Sequence, residues 1–207
     1  GLELASWYKL GPLFTPPVVG DINGPLGILM APAAAGGTNW PGGSLDPETG
    51  ILYVSSNSSL GALSLVPPYR GQSDMAYIQG SPITGPRTSG GAGSTAGGGR
   101  TEFQAQQRQA PVSTRGTPPR GILVDRLPLQ KPPYGKISAL DLRDGTLAWQ
   151  IAHGQTPDRV ANHPALASLD IPRTGQSASV GTLVTKTLLI AGEAEMTTGD
   201  EGERRAF

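Results

Sequence analysis

The chain has 207 residues, of which 30 are glycine, 20 are proline and none is cysteine. Both turn formers run at about twice their average usage, which disfavours a helical bundle and favours short strands joined by many turns. Sixteen Lys and Arg balance 16 Asp and Glu, so the basic excess of a nucleic-acid binder is missing, and the lack of cysteine excludes disulfides, thiolate metal sites, a Cys nucleophile and c-type haem attachment within the chain.

Residues 1–35 are apolar and broken by Gly11-Pro12, Pro16-Pro17, Gly24-Pro25 and Pro32, pairs that mark loops. The start, Gly1-Leu2-Glu3-Leu4-Ala5-Ser6-Trp7, has no signal-peptide core. No apolar run approaches the ~18 residues that span a membrane. Asp46-Pro47-Glu48-Thr49-Gly50 predicts a turn, and Ile51-Leu52-Tyr53-Val54-Ser55 a strand of β-branched and aromatic residues. Residues 80–120 carry the Gly-rich run 89–99, the polar run Gln104–Gln109 and Pro118-Pro119. Such a stretch cannot bury enough apolar surface to offset its ordering entropy, and it is expected to be a flexible surface excursion. Lys136–Leu142 alternates as a strand, Asp144-Gly145 signals a hairpin, and Thr146–Ile151 is the return strand. Residues 152–180 read as a long polar connection. Thr182–Thr185 and Thr187–Gly192 form another strand pair, and Arg205-Ala206-Phe207 opens one more strand. The missing Met at the start and the end at Phe207 suggest an internal piece of a longer protein.

Ala139, Asp141, Gly145 and Trp149 share the spacing A-x-D-x-x-x-G-x-x-x-W. Small Ala139 would let a neighbouring sheet approach, Asp141 would hold the turn amides, and Gly145 would take the strained turn position. Trp149 would cover ~150–250 Å² of the adjacent sheet. A weaker copy runs from Ser44 to Val54, keeping Asp46 and Gly50. Repeats of this kind suggest four-stranded propeller blades.

The blade motif resembles the tryptophan-docking motif of the quinoprotein dehydrogenases, which use pyrroloquinoline quinone (PQQ). Gly36-Gly37-Thr38-Asn39-Trp40, running on through Asp46-Pro47-Glu48-Thr49-Gly50 to Tyr53-Val54, resembles that family's G-G-x-N-W…D-P-x-T-G-x-x-Y-V segment. Pro132–Leu142 with Trp149 and His153–Asp158, and Gly181–Thr185 with Leu188–Gly192 and Arg205-Ala206-Phe207, agree with it. The flavour is that of the glucose, quinate and shikimate branch. The likeness covers about residues 8–60 and 130–207, and the Gly-rich middle has no counterpart.

The resemblance implies an all-β fold, about three blades of an eight-bladed β-propeller. Blade segments would lie at 1–80 (with the GGTNW motif) and at 131–207, around a flexible insertion at 81–130. It implies PQQ near the propeller axis. A Ca²⁺ ion would polarise the quinone, and an Asp would act as base on an alcohol or sugar hydroxyl. Ubiquinone or cytochrome c would accept the electrons. It implies a periplasmic place, with any inner-membrane attachment through a segment outside this chain. Calcium ligands and catalytic Asp lie upstream of the N-W segment in the family. No catalytic or metal-binding residue is therefore assigned here, and these residues alone are expected to be inactive.

Asn39 matches the family Asn that reaches the quinone, since an amide offers donor and acceptor to an o-quinone edge. Trp40 would line the pocket. Gly181 would offer its backbone where relatives place a Trp-Gly-Gly wall, although this chain has Ser179 and Val180 before it. The bland reading of Asn39 is a turn residue satisfying its own backbone. His153 and His163, ten residues apart, lack metal-ligand spacing and read as loop histidines. Glu193, Glu195, Asp158 and Asp170 read as solvated. Gly97-Gly98-Gly99-Arg100 lacks the Lys-Ser/Thr of a phosphate loop, and no G-x-S-x-G elbow occurs. Two other readings stand beside it: a cofactor-free propeller with the same blades that scaffolds outer-membrane assembly, and a sugar-binding propeller lectin.

Overall fold

The computed structural model describes residues 1–34, 36–87, 112–119, 121–178, 180–193, 195–199 and 201–205. The Gly-rich run at 89–99, Ser179 and the final Ala206-Phe207 lie outside the described residues. Regular structure among the described residues is mostly strand, with two four-residue helices and one 3-10 turn. No helix there is long and apolar enough to cross a membrane.

The chain forms two compact units, Gly1–Met30 with Gly61–Ile122, and Ala31–Leu60 with Leu123–Phe207. This division differs from cuts at 80 and 130. Residues 31–60 leave their sequence neighbours because their central strand pairs with a strand beyond residue 134.

The first unit holds the helix α1 (Leu2–Ala5) and a sheet centred on β5 (Gly61–Val66). The strands β2 (Ile28–Met30) and β6 (Ile78–Ser81) pair with it antiparallel, and β7 (Gly85–Pro86) extends β6. The strand β1 (Val18–Val19) pairs with β5 in parallel, Val18 opposite Ser64. That pair departs from the antiparallel strands of a propeller blade. Its cause is local: a chain entering through Pro16-Pro17 reaches the β5 edge by a loop rather than a hairpin turn. Trp7, Leu26, Ile28 and Val66 form the core of this unit. The Arg115 guanidinium lies 4.5 Å from the centre of the Trp7 ring, a cation–π contact that covers its face.

In the second unit every ladder among the described residues is antiparallel. Its main sheet has four strands in the order β11-β10-β4-β3. These are β3 (Gly43–Asp46), β4 (Ile51–Asn57), β10 (Gly135–Asp141) and β11 (Thr146–Ala152). The short hairpin β8 (Leu123–Val124) and β9 (Leu127–Pro128) precedes β10. Both copies of the Asp…Gly motif thus sit in one sheet rather than in two. Each supplies a hairpin, and the hairpins join where β4 pairs with β10, from Asn57–Gly135 to Ile51–Asp141.

The two turns are built alike. The Asp46 carboxylate accepts the Glu48 N–H at 3.0 Å and the Asp141 carboxylate the Arg143 N–H at 3.0 Å. The Gly50 and Gly145 N–H groups close the turns onto the Asp46 and Asp141 carbonyls at 2.9 and 2.8 Å. Gly50 and Gly145 have φ of +70° and +76°, a backbone that side chains with a Cβ resist. The Leu142 N–H donates to the Gly50 carbonyl at 3.0 Å, so the two turns lie together at one end of the sheet.

Trp149 corrects the expectation of burial between neighbouring sheets, since it remains 39% exposed. It lies on β11, the outer strand of its sheet, and packs on Tyr53 of the same sheet. The connection 152–180 is also more ordered than its polarity suggests. It holds the helix α2 (Asp158–Ala161), whose Val160 is 2% exposed, and a 3-10 turn at Pro164–Leu166. Thr174 and Gln176 within it are buried. The hairpins β12 (Thr182–Val184) with β13 (Leu189–Ala191), and β14 (Thr197–Thr198) with β15 (Arg204–Arg205), complete the unit.

Candidate functional site

The end of the four-stranded sheet opposite its two Asp–Gly turns carries the family-like residues. The Asn57 N–H at the end of β4 donates to the Gly37 carbonyl at 2.6 Å, which pins the 36–42 loop beside the sheet. In that loop the Asn39 side-chain oxygen accepts the Trp40 N–H at 2.8 Å. The Asn39 carbonyl accepts the Gly42 N–H at 2.9 Å. Asn39 therefore organises its own turn, as its bland reading expects. Its amide NH₂ makes no hydrogen bond among the described residues and is the group left for an outside acceptor.

Trp40 is 98% exposed. Gly181 reaches the same turn from far along the chain, and a Cβ built on it would lie 3.8 Å from the Pro41 Cβ. The next residue fixes that approach. The Ser44 hydroxyl on β3 donates to the Thr182 carbonyl and lies 2.9 Å from the Thr182 hydroxyl. Gly181 thus joins the consecutive Asn39 and Trp40 in one exposed cluster of the second unit.

An open cleft of about 330 Å³, its lining mostly apolar surface from residues such as Ala31, Pro32 and Leu60, adjoins the same loop. It is lined by Gly37, Ser56, Ser58, Ser59, Gln130 and Lys136, among others. The Gln130 amide donates to the Ser58 carbonyl at 2.8 Å and holds the wall in place. Neither Gln130 nor Lys136 stood out in the sequence, because their partners are remote in the chain. The pairing of Lys136 with Ser56 across β10 and β4 brings them together.

Buried His163 accepts the Ala165 N–H on Nδ1 at 3.2 Å, so its Nε2 carries the proton and donates to the Asp125 carbonyl at 2.7 Å. It caps the 3-10 turn and is more integral than a loop histidine. His153 lies 2.9 Å from the Gly192 carbonyl through its Nε2. One Glu193 oxygen accepts the Gln155 N–H at 2.9 Å, while the other is buried without a hydrogen bond. That departs from a solvated reading, because the carboxylate docks on the chain after His153. Glu195 is half-exposed and 3.5 Å from Arg159. Hydrogen bonds from the backbone and hydroxyl of Thr198 hold the Asp158 carboxyl below its usual range. No group of three His, Asp or Glu among the described residues is placed to hold a metal ion.

The PQQ glucose/ethanol/alcohol dehydrogenase β-propeller domain family matches the chain over residues 2–202. A probable quinate dehydrogenase (quinone) from Xanthomonas campestris pv. juglandis is 28% identical over 135 residues, 63% of this chain. The chain spans 14% of that relative's length. No solved structure matches it significantly. With nearly its whole length matched and its strands arranged as antiparallel blade-like hairpins, the chain belongs to the PQQ-dependent dehydrogenase family, as part of its β-propeller domain.

Proposed function

We propose that this chain is part of the cofactor-holding propeller of a periplasmic dehydrogenase that oxidises the hydroxyl of a small alcohol or sugar. The observation that carries the reading is the convergence of Asn39, Trp40 and Gly181 on one exposed turn cluster. The donor set fits one side of a flat anionic cofactor. Trp40 supplies a planar face with nothing over it, Asn39 a free amide donor, and Gly181 a backbone position without a side chain. When bound, PQQ supplies the hydride acceptor. The chain's own share is to orient it and to place an N–H donor where negative charge develops, an interaction that strengthens as charge builds.

In this reading Ca²⁺ and the catalytic base come from residues outside this chain, and ubiquinone or cytochrome c takes the electrons. The family resemblance supports those parts. The bond that Asn39 makes to its own turn favours one competitor, a cofactor-free scaffold with the same blades.

The test is titration of PQQ into the calcium-loaded full-length apoprotein, read by cofactor absorbance. Asn39→Ala is expected to weaken binding by about 1–3 kcal/mol, the penalty for an unpaired buried polar partner. Asn39→Asp is expected to be worse, because it sets a carboxylate against a tricarboxylate. Wild-type affinity in both variants would make Asn39 a turn residue only. No binding by the wild type would leave the scaffold reading.

A further inference from the structure

The four-stranded sheet of the second unit is covered on one face and open on the other. Residues opposed across a ladder point to the same face, and alternate residues point to opposite faces. Ser55 of β4 and Ile137 and Ala139 of β10 share one face, and all three are buried. The other face carries leucines. Leu45 on β3 is paired with Leu52 on β4, Leu52 with Leu140 on β10, and Leu140 with Leu147 on β11. The four form one row across the whole sheet, roughly 14 Å long at ~4.8 Å between neighbouring strands. Its ends are open, Leu45 at 48% and Leu147 at 53% exposure. Val54 stands two residues along β4 on the same face, and its ladder partners, Gly43 and Ser138, carry no charge.

Leu147 joins this row through an irregularity. Trp149 lies opposite Ala139, but Leu147 lies opposite Leu140, so β11 advances two residues while β10 advances one. Ala148 is the extra residue of a β-bulge. In an unbroken ladder Leu147 would face Asp141, on the side of Trp149, and the row would stop at β10. Bulges re-aim side chains in this way. Strict alternation along the sequence puts Leu147 and Trp149 on one face, and the bulge puts them on opposite ones.

A contiguous apolar strip of this kind marks an interaction surface. A row that crosses every strand of a sheet fits the inner face of a second sheet, packed about 10 Å away. The chain is part of a β-propeller domain and spans 14% of the length of its quinate dehydrogenase relative. In a propeller, four-stranded sheets repeat about an axis, so each lies between two others. We propose that the row of Leu45, Leu52, Leu140 and Leu147 is the docking face for a neighbouring blade of the same propeller, which meets it with apolar side chains of its own. This rests on the propeller assignment and not on the cofactor turn at Asn39 and Trp40.

The chain has no cysteine, so single thiols report on this face without interference. Leu45→Cys and Leu147→Cys, each in the full-length protein with any cysteine outside these residues replaced, are labelled with a maleimide in the native state and after denaturation. Native labelling slower than denatured labelling by about thirtyfold or more is expected at both sites, because a covered side chain reacts only when the interface opens. Leu147→Lys is expected to lower the melting temperature by several degrees, whereas a lysine at an exposed strand position leaves it nearly unchanged. Wild-type melting of the cysteine variants shows that the sheet itself is intact. A smaller labelling ratio at either site, or unchanged melting in Leu147→Lys, overturns the proposal. Protection that disappears on dilution also overturns it, since a second copy would then be the cover. A failure to bind PQQ would count against the cofactor reading and leave these results unaffected.

Discussion

The rings of Tyr53 and Trp149 meet with their centres 5.8 Å apart and their planes tilted by 41°, although they stand on strands that are not neighbours. Between them lies Ala139, paired with Tyr53 on one side and with Trp149 on the other. Ala139 is fully buried. Its methyl group is small enough for the two rings to close over it. The Ala of the blade motif thus serves its own sheet rather than the approach of a neighbouring one.

A larger residue at position 139 should force the rings apart. Ala139→Leu is expected to destabilise the protein by about 1–3 kcal/mol, the usual cost of overpacking. A double-mutant cycle of Tyr53→Ala and Trp149→Ala should return a coupling of about 0.5–1.5 kcal/mol. Denaturant titration measures both. Additive effects of the two ring deletions would show that the pair does not interact energetically.

The Asp141 carboxyl is held at about 2, well below its ordinary value, first by the Arg143 side chain and then by the Arg143 N–H. A depressed carboxyl favours the folded state above its unfolded value, near 3.9, and this contribution fades as pH falls toward about 2. Thermal melts between pH 5 and pH 2 should therefore fall less steeply in Asp141→Asn than in the wild type. The Arg143 side chain is largely exposed, so the difference should shrink in high salt. Parallel curves would remove the turn pair from the acid response.

Gly175 and Gly181 should behave oppositely. Gly175 has φ of +69°, and a Cβ there would collide with the Gly135 and His153 carbonyls. Gly175→Ala should cost more than the ~1–2 kcal/mol of a left-handed backbone, because the buried stretch Thr174–Gln176 would have to move. Gly181 has open space apart from Pro41, so Gly181→Ala should change apoprotein stability by no more than about 0.5 kcal/mol. Any loss of PQQ affinity in Gly181→Ala would then report a cofactor contact rather than misfolding. Thermal melts of apoprotein set beside PQQ titrations separate the two.

Ser44 and Thr182 should hold β3 to the β12 hairpin. Ser44→Ala is expected to cost about 0.5–1.5 kcal/mol, the net worth of a hydrogen bond, and to loosen the turn that presents Gly181. Faster amide exchange at Leu183 and Val184 would show it. Unchanged exchange would mean that β12 is positioned by packing alone.

Local chemistry made much of this protein legible in its sequence. Asp46 with Gly50 announced a turn, and Asp141 with Gly145 a hairpin, because carboxylate-to-amide bonds and positive φ are satisfied within five residues. Ile51–Ser55 and Lys136–Leu142 announced strands through their side-chain types, and β4 and β10 lie there within two residues. The motif around Asn39 and Trp40 was equally visible. What could not be read was pairing at a distance. Only the fold decided that the two hairpins join through β4 and β10 into one sheet, across an intervening stretch that itself forms most of another unit. Only the fold carried Gly181 to Pro41, buried Thr174 and Gln176 in a polar connection, and turned Trp149 onto Tyr53. The reason is physical. A turn is fixed by interactions among adjacent residues, whereas the partner of a strand edge is set by whichever distant segment folding brings beside it.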